Sequence, residues 1–195
     1  MYPRTIDNWH GERLTFLGRD GDRLLCESVV DIGAGPPMHI HHLQTETMRV
    51  ESGLMGVSVA GEDDRVLRAG EMISFAPGVE HRFWNAGDEP LRLAGEVFPA
   101  LNFEYFLGAV YESARGHGGR PGPWDAAFLL TRYRSEFALT AIPAPVRRFV
   151  LPIQAFLGRL FGRYERYSDA PDPVRPAADA KLLRRSATSA RSSAG

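Results

Sequence analysis

The sequence predicts a mainly β fold, a small sandwich or barrel followed by C-terminal α-helices, and three observations carry that expectation. Turn chemistry recurs roughly every ten residues from about residue 12 to 100. The stretches between turns are short, and apolar and polar residues alternate clearly at Arg65-Val-Leu-Arg-Ala69 and Leu91-Arg-Leu-Ala94. After Pro99 the apolar residues change to helical spacing.

The turns are Gly18-Arg-Asp-Gly21, Gly33-Ala-Gly-Pro-Pro37, Glu51-Ser-Gly53, Gly61-Glu-Asp-Asp64, Ala76-Pro-Gly78 and Ala86-Gly-Asp-Glu-Pro90. Glycine permits positive φ there, proline fixes φ, and aspartate bonds its own backbone. Between them the expected strands are Arg13–Leu17, Arg23–Asp31, Met38–His42, Thr45–Val50, Leu54–Ala60, Arg65–Arg68, Glu71–Phe75, His81–Asn85 and Leu91–Val97. Leu101–Ala114 and Trp124–Leu139 read as helices, separated by a Gly- and Pro-rich loop, 115–123. A third helical segment, Val146–Tyr164, sets Phe149, Ile153, Phe156, Leu157, Leu160, Phe161 and Tyr164 on one face, with Arg159, Arg163 and Arg166 opposite. Pro152 is expected to kink it or to mark its start. From Ser168 the chain turns Pro-, Ala-, Ser- and Arg-rich, which predicts a disordered tail. The expected organisation is a β domain over 1–100, a helical extension over 101–167 that packs on the barrel or a partner, and a tail over 168–195.

Composition excludes several function classes. With 44% hydrophobic and 24% charged residues and a net charge of −1, the chain is an ordinary globular protein with no global field for nucleic acid. The single cysteine, Cys26, forbids an intrachain disulfide and lies in an apolar run, where it reads as core filler. The first ten residues lack the apolar centre of a secretory leader, and no stretch approaches the ~18 apolar residues of a membrane span. The expected location is cytoplasmic.

Chemistry concentrates in two short pieces. In Met38-His-Ile-His-His42 the imidazoles of His39 and His41 leave the same strand face, because alternate side chains do. Glu46 follows, and a second extended stretch contributes His81. Three imidazoles and one carboxylate form a mixed nitrogen and oxygen donor set suited to divalent first-row transition metals. His42 has the opposite phase and reads as a surface or interface residue. His10 and His117 read as solvent-exposed, and Trp84 as outward-facing. Met48 and Val50 share the face of Glu46, and Phe83 that of His81. With Phe75 they are candidate walls of a pocket for an apolar or aromatic small molecule, core packing being their ordinary alternative.

These residues carry a resemblance to the cupin superfamily. Gly33, five residues, His39-Ile-His41, four residues, Glu46, six residues and Gly53 match its first motif; Gly70, Gly78, His81 and Asn85 match its second. One departure is Ala76 at the expected proline position, with Pro77 following. The resemblance spans roughly residues 13–100. It implies a double-stranded β-helix of the jelly-roll type, with one divalent ion (Fe, Mn, Ni, Cu or Zn) held by His39, His41, Glu46 and His81. It also implies, by analogy alone, pairing into a homodimer. The expected function is that of a mononuclear metal-dependent oxygenase of the quercetinase-like type on a small apolar or aromatic molecule. Glu46 would then serve as general base as well as ligand. A non-redox cyclase or isomerase, and a non-catalytic binding module, are the alternatives. The Val146–Tyr164 segment reads first as a packing helix, second as a peripheral membrane contact and third as a lid over the barrel mouth.

Overall fold

A computed structural model describes residues 1–174. Among these residues eleven strands form two antiparallel sheets, and three α-helices follow the tenth strand. The first sheet runs β1 (Arg4–Asp7), β2 (Glu12–Asp20), β3 (Arg23–Val30), β10 (Leu91–Phe98), β5 (Thr45–Ser52), β8 (Met72–Phe75). The second runs β11 (Phe137–Leu139), β4 (His39–His41), β9 (Glu80–Asn85), β6 (Leu54–Val59), β7 (Arg65–Arg68). All nine strands expected from the turn pattern are present, with ends moved by a few residues. The mainly β jelly-roll class with C-terminal helices is therefore the observed one.

The strands face each other through an apolar interior. Val30, Met48, Val50, Ile73, Phe75, Leu91 and Leu93 from the first sheet pack with Met55, Val57, Leu67 and Phe83 from the second. Inward residues of facing sheets interdigitate in this way because alternate positions share a face. A second core lies where α1 (Phe103–Arg115) and α2 (Pro123–Arg132) meet the first sheet, joining Phe16, Leu24, Cys26 and Val97 to Phe106 and Phe128. Tyr111 on α1 crosses this boundary and donates to buried Glu12 at 2.7 Å, while Ser28 donates from β3 at 3.2 Å. Burial pushes the Glu12 carboxyl above its usual range, opposed by these two donors.

Two short loops lock the sandwich near its metal-type motifs. Gly33 and Ala34 exchange backbone hydrogen bonds with Asn85, at 3.0 and 2.9 Å. The Asn85 side chain donates to the carbonyls of Val30 and Glu89 and accepts from Gly87 N–H. This contact requires glycine at 35: a Cβ there would overlap the Phe83 carbonyl oxygen and lie 2.8 Å from Trp84 Cα. The Ala76 departure leaves the second turn intact. Pro77 and then Gly78 (φ +85) occupy its centre, and Val79 N–H closes it on Ala76 O at 3.1 Å.

Several expectations are corrected. The helix expected over Trp124–Leu139 stops at Arg132, and its end instead forms β11, which pairs with β4. β1 has no expected counterpart; it is fixed by pairing with β2. The third segment opens as a π-helical turn over Val146–Val150 and becomes α3 over Leu151–Leu160, so Pro152 sits in the first turn of α3. Its large apolar stripe faces solvent, except for Tyr164, which is buried. Part of the expected tail is tied down: Arg132 and Tyr133 donate to Pro171 O, and Arg132 pairs with Asp172 at 3.1 Å. The rest of that tail, residues 175–195, lies outside the described residues.

The Gly35 contact yields a direct test. Gly35→Ala is expected to cost ~1–3 kcal/mol, the usual toll of forcing extra volume into a filled position. Urea unfolding should show a lowered midpoint, and an unchanged midpoint would contradict the contact.

Candidate metal centre

The sequence places four donors on three strands, and the fold brings them together. β4 and β9 are neighbours in the second sheet, with His39 directly opposite His81. Glu46 arrives from the first sheet, because residues 42–44 carry the chain from β4 across to β5. One donor atom from each of His39, His41, Glu46 and His81 lies within 4.8 Å of the others. Two nitrogens bound to one transition ion sit no more than ~4.2 Å apart, so small side-chain rotations suffice to close the set.

Hydrogen bonds orient two of the rings. His39 Nδ1 faces Pro37 O at 2.8 Å, and His81 Nδ1 faces Val79 O at 3.0 Å. Carbonyls only accept, so Nδ1 carries a proton in each ring, which leaves Nε2 as the nitrogen that would bind a metal. The consequence is sharpest at His81. Its Nε2 lies 2.9 Å from Glu46 Oε2, and His41 Nε2 lies 3.5 Å from the same oxygen. A hydrogen bond across this gap needs a proton that a divalent cation, held by both groups, would replace. The Nδ1 of His41 is buried without a partner.

Protonation favours the same state. Burial strips water from the imidazoles, lowering His39 and taking His41 down to about 3 despite the opposing field of Glu46. Burial alone would raise the Glu46 carboxyl, but His41 and the hydrogen bond from the His81 ring, with His39, hold it at about 2. His41 and Glu46 thus stand ready near neutral pH as neutral nitrogen and ionised oxygen, the forms that bind metal. The donor set and its geometry fit a divalent transition ion.

The surroundings are aromatic. Phe75 stacks on His81 with ring centroids 3.8 Å apart, and Phe103 and Phe137 each lie 5.5 Å from His41. Of the candidate pocket residues, Phe75 touches a donor; Met48, Val50 and Phe83 are buried within the apolar interior of the sandwich. His42, His10 and His117 are exposed and stand outside the donor cluster, and Trp84 is half-buried over Gly56. Cys26 is buried, which drives its thiol up to about 12.

One residue at the edge of the site escapes any sequence signal. Glu136, fully buried, accepts from Asn102 Nδ2 (2.7 Å), Asn102 N–H (3.2 Å) and Val174 N–H (3.1 Å), and from Gln44 Nε2 at 3.5 Å. Its own carbonyl accepts from His42 N–H at 2.7 Å. It thereby ties the loop after the ligand strand to the start of α1 and to the chain's C-terminal segment.

Linkage fixes the acid response of the metal-free protein. The unfolded chain protonates His41 near 6.5 and Glu46 near 4.5, whereas the folded groups wait until about 3 and about 2. The unfolded state therefore binds more protons throughout this window, and stability falls as pH falls. The thermal midpoint is expected to drop by several degrees from pH 6.5 to pH 4, less steeply in His41→Leu. A flat profile would contradict buried neutral imidazoles.

The Cupin_2 family model, a cupin domain, matches residues 27–98. The chain is similar to a probable oxidoreductase, patJ, of Penicillium expansum, 43% identical over 89 residues that span 46% of this chain and 24% of the relative. It is also similar to an oxidoreductase, iacF, of Pestalotiopsis fici, 34% identical over 101 residues (47% and 50%). The epoxidase atD of Aspergillus terreus is 41% identical over 59 residues (30% and 18%). The chain thus spans no more than half the length of these relatives. Among solved structures, an RmlC-like cupin from Shewanella frigidimarina is 24% identical, covering 51% of this chain and 86% of that one with a TM-score of 0.46. Residues 27–98 thus match the cupin domain family.

Proposed function

We propose that the protein is a metal-dependent oxidoreductase, an oxygenase acting on a small apolar or aromatic molecule at the site of His39, His41, Glu46 and His81. The observation that carries this reading is the convergence of His39, His41, Glu46 and His81, whose donor atoms lie within 4.8 Å of one another. The oxidoreductase and epoxidase names of the similar fungal proteins support the redox class.

The residues divide the work. His39, His41 and His81 would hold the ion through nitrogen, and Glu46 would supply the anionic oxygen. A bound ion with open coordination positions would supply Lewis acidity and, if redox-active, electron transfer. Glu46 uses Oε2 toward both His41 and His81, so Oε1 is the atom placed to take a proton from a substrate hydroxyl. A carboxyl held at about 2 is a weak base, which makes metal ligation its resting role and proton acceptance a consequence of turning away from the imidazoles. His39 and Glu46 keep partial exposure while His41 and His81 are buried, so a substrate reaches the site from the side of His39 and Glu46. Phe75, Phe103 and Phe137 exclude water from the other sides, which suits an apolar or aromatic occupant.

Protein purified without added metal is expected to carry about one transition ion per chain, lost in His39→Ala and His81→Ala. The loaded protein should consume O₂ with an enolizable or catecholic compound. Glu46→Gln should lower turnover by ~10²–10⁴-fold, the usual share of a positioned acid or base. Metal loading with no O₂ uptake, or full activity under anaerobic conditions with zinc, would contradict the oxygenase assignment.

A further inference from the structure

The third helical segment is built inside out. Between Phe149 and Phe161 six large apolar residues, Phe149, Val150, Ile153, Phe156, Leu160 and Phe161, are each 51–69% exposed. Positions 149, 153, 156 and 160 recur at the helical interval and so form one stripe. The face turned inward is made of small or modest residues. Gly158 is buried against the Tyr164 hydroxyl, where a Cβ would overlap it, and Tyr164 in turn donates to Trp124 O on α2 at 3.2 Å. A soluble helix normally buries its largest side chains. Here packing of α3 on α2 uses its smallest, and among the described residues nothing covers the stripe. Other exposed apolar side chains, such as Leu17, Ile32 and Val66, are scattered singly over the β domain.

Charge identifies what covers it. From residue 137 to 164 the sequence holds Arg147, Arg148, Arg159 and Arg163 and no aspartate or glutamate. Residues 143–195 carry ten Lys and Arg against four Asp and Glu, whereas residues 1–142 carry thirteen against twenty. A second copy docking by two-fold symmetry would set these arginines against their own equivalents with no acid in the segment to pair them, a repulsive arrangement. An apolar stripe on an arginine-bearing, acid-free helix instead matches an anionic lipid surface. Long guanidinium side chains reach phosphate groups while the stripe enters the acyl boundary. No described helix is long and apolar enough to cross a membrane, so such a contact lies in the interface plane.

We propose that the segment Val146–Phe161 docks the protein peripherally on anionic membranes. The test is co-sedimentation of the full chain with phosphatidylcholine vesicles, with and without phosphatidylglycerol. The protein is expected to bind the anionic vesicles preferentially and to be released near ~1 M salt, where the Debye length falls to about 3 Å. Ile153→Glu with Phe156→Glu should weaken binding by about tenfold or more while leaving the thermal midpoint and metal content unchanged, because both side chains are already exposed. Arg148→Glu with Arg159→Glu should remove the preference for anionic lipid. Absence of vesicle binding, binding unchanged in both double variants, or a concentration-dependent dimer that Ile153→Glu dissociates would each overturn the proposal.

Discussion

The site depends on one electrostatic constraint: a largely enclosed carboxylate, Glu46, held against the imidazoles of His41 and His81. His39 and His81 spend Nδ1 on the carbonyls two residues behind them, and burial keeps His39 and His41 from taking up another proton. Moving a carboxylate out of water is costly unless a charge or donors compensate it. A cation shared by all four groups would supply that compensation. The two-sheet architecture makes the meeting possible, since β4 and β9 deliver three imidazoles from one sheet and β5 delivers the carboxylate from the other.

The helical extension is part of this site and not an appendage to it. Without β11, the three-residue ligand strand β4 would be the open edge of its sheet, with unpaired backbone groups. β11 closes that edge in register, setting Phe137 opposite His41 and Leu139 opposite His39. Phe103 from α1 packs on the same imidazole, and Glu136 gathers Gln44, Asn102 and Val174 onto one buried carboxylate. The extension therefore immobilises the ligand strand and dries its back. Packing and hydrogen bonds behind a donor side chain orient it in this way.

Much of this was legible in the sequence, for identifiable reasons. Glycine and proline turns punctuate the nine central strands, and the two-residue strand period put His39 and His41 on one face without any knowledge of the fold. β11 was hidden because Phe-Ala-Leu has no pattern of its own; its conformation comes from its partner, His39–His41. Glu136 looks like any polar residue after a helix, and only tertiary structure makes it a buried node. The amphipathic pattern of the third segment located an apolar stripe but not its direction, because periodicity gives the face and not what the face meets. Phase placed Met48, Val50 and Phe83 inward with the donors, yet inward positions in a sandwich serve the core as readily as a pocket. Function is legible only to the level of the site, since one barrel hosts many reactions.

The most direct measurement of the central proposition is X-ray absorption spectroscopy at the edge of the bound ion in protein loaded with one equivalent of zinc. Convergence of the four side chains predicts an inner shell of about three imidazole nitrogens at ~2.0–2.1 Å with one carboxylate oxygen at ~2.0–2.2 Å, and the outer-shell scattering of imidazole rings. A shell of oxygens alone, without imidazole scattering, would contradict it.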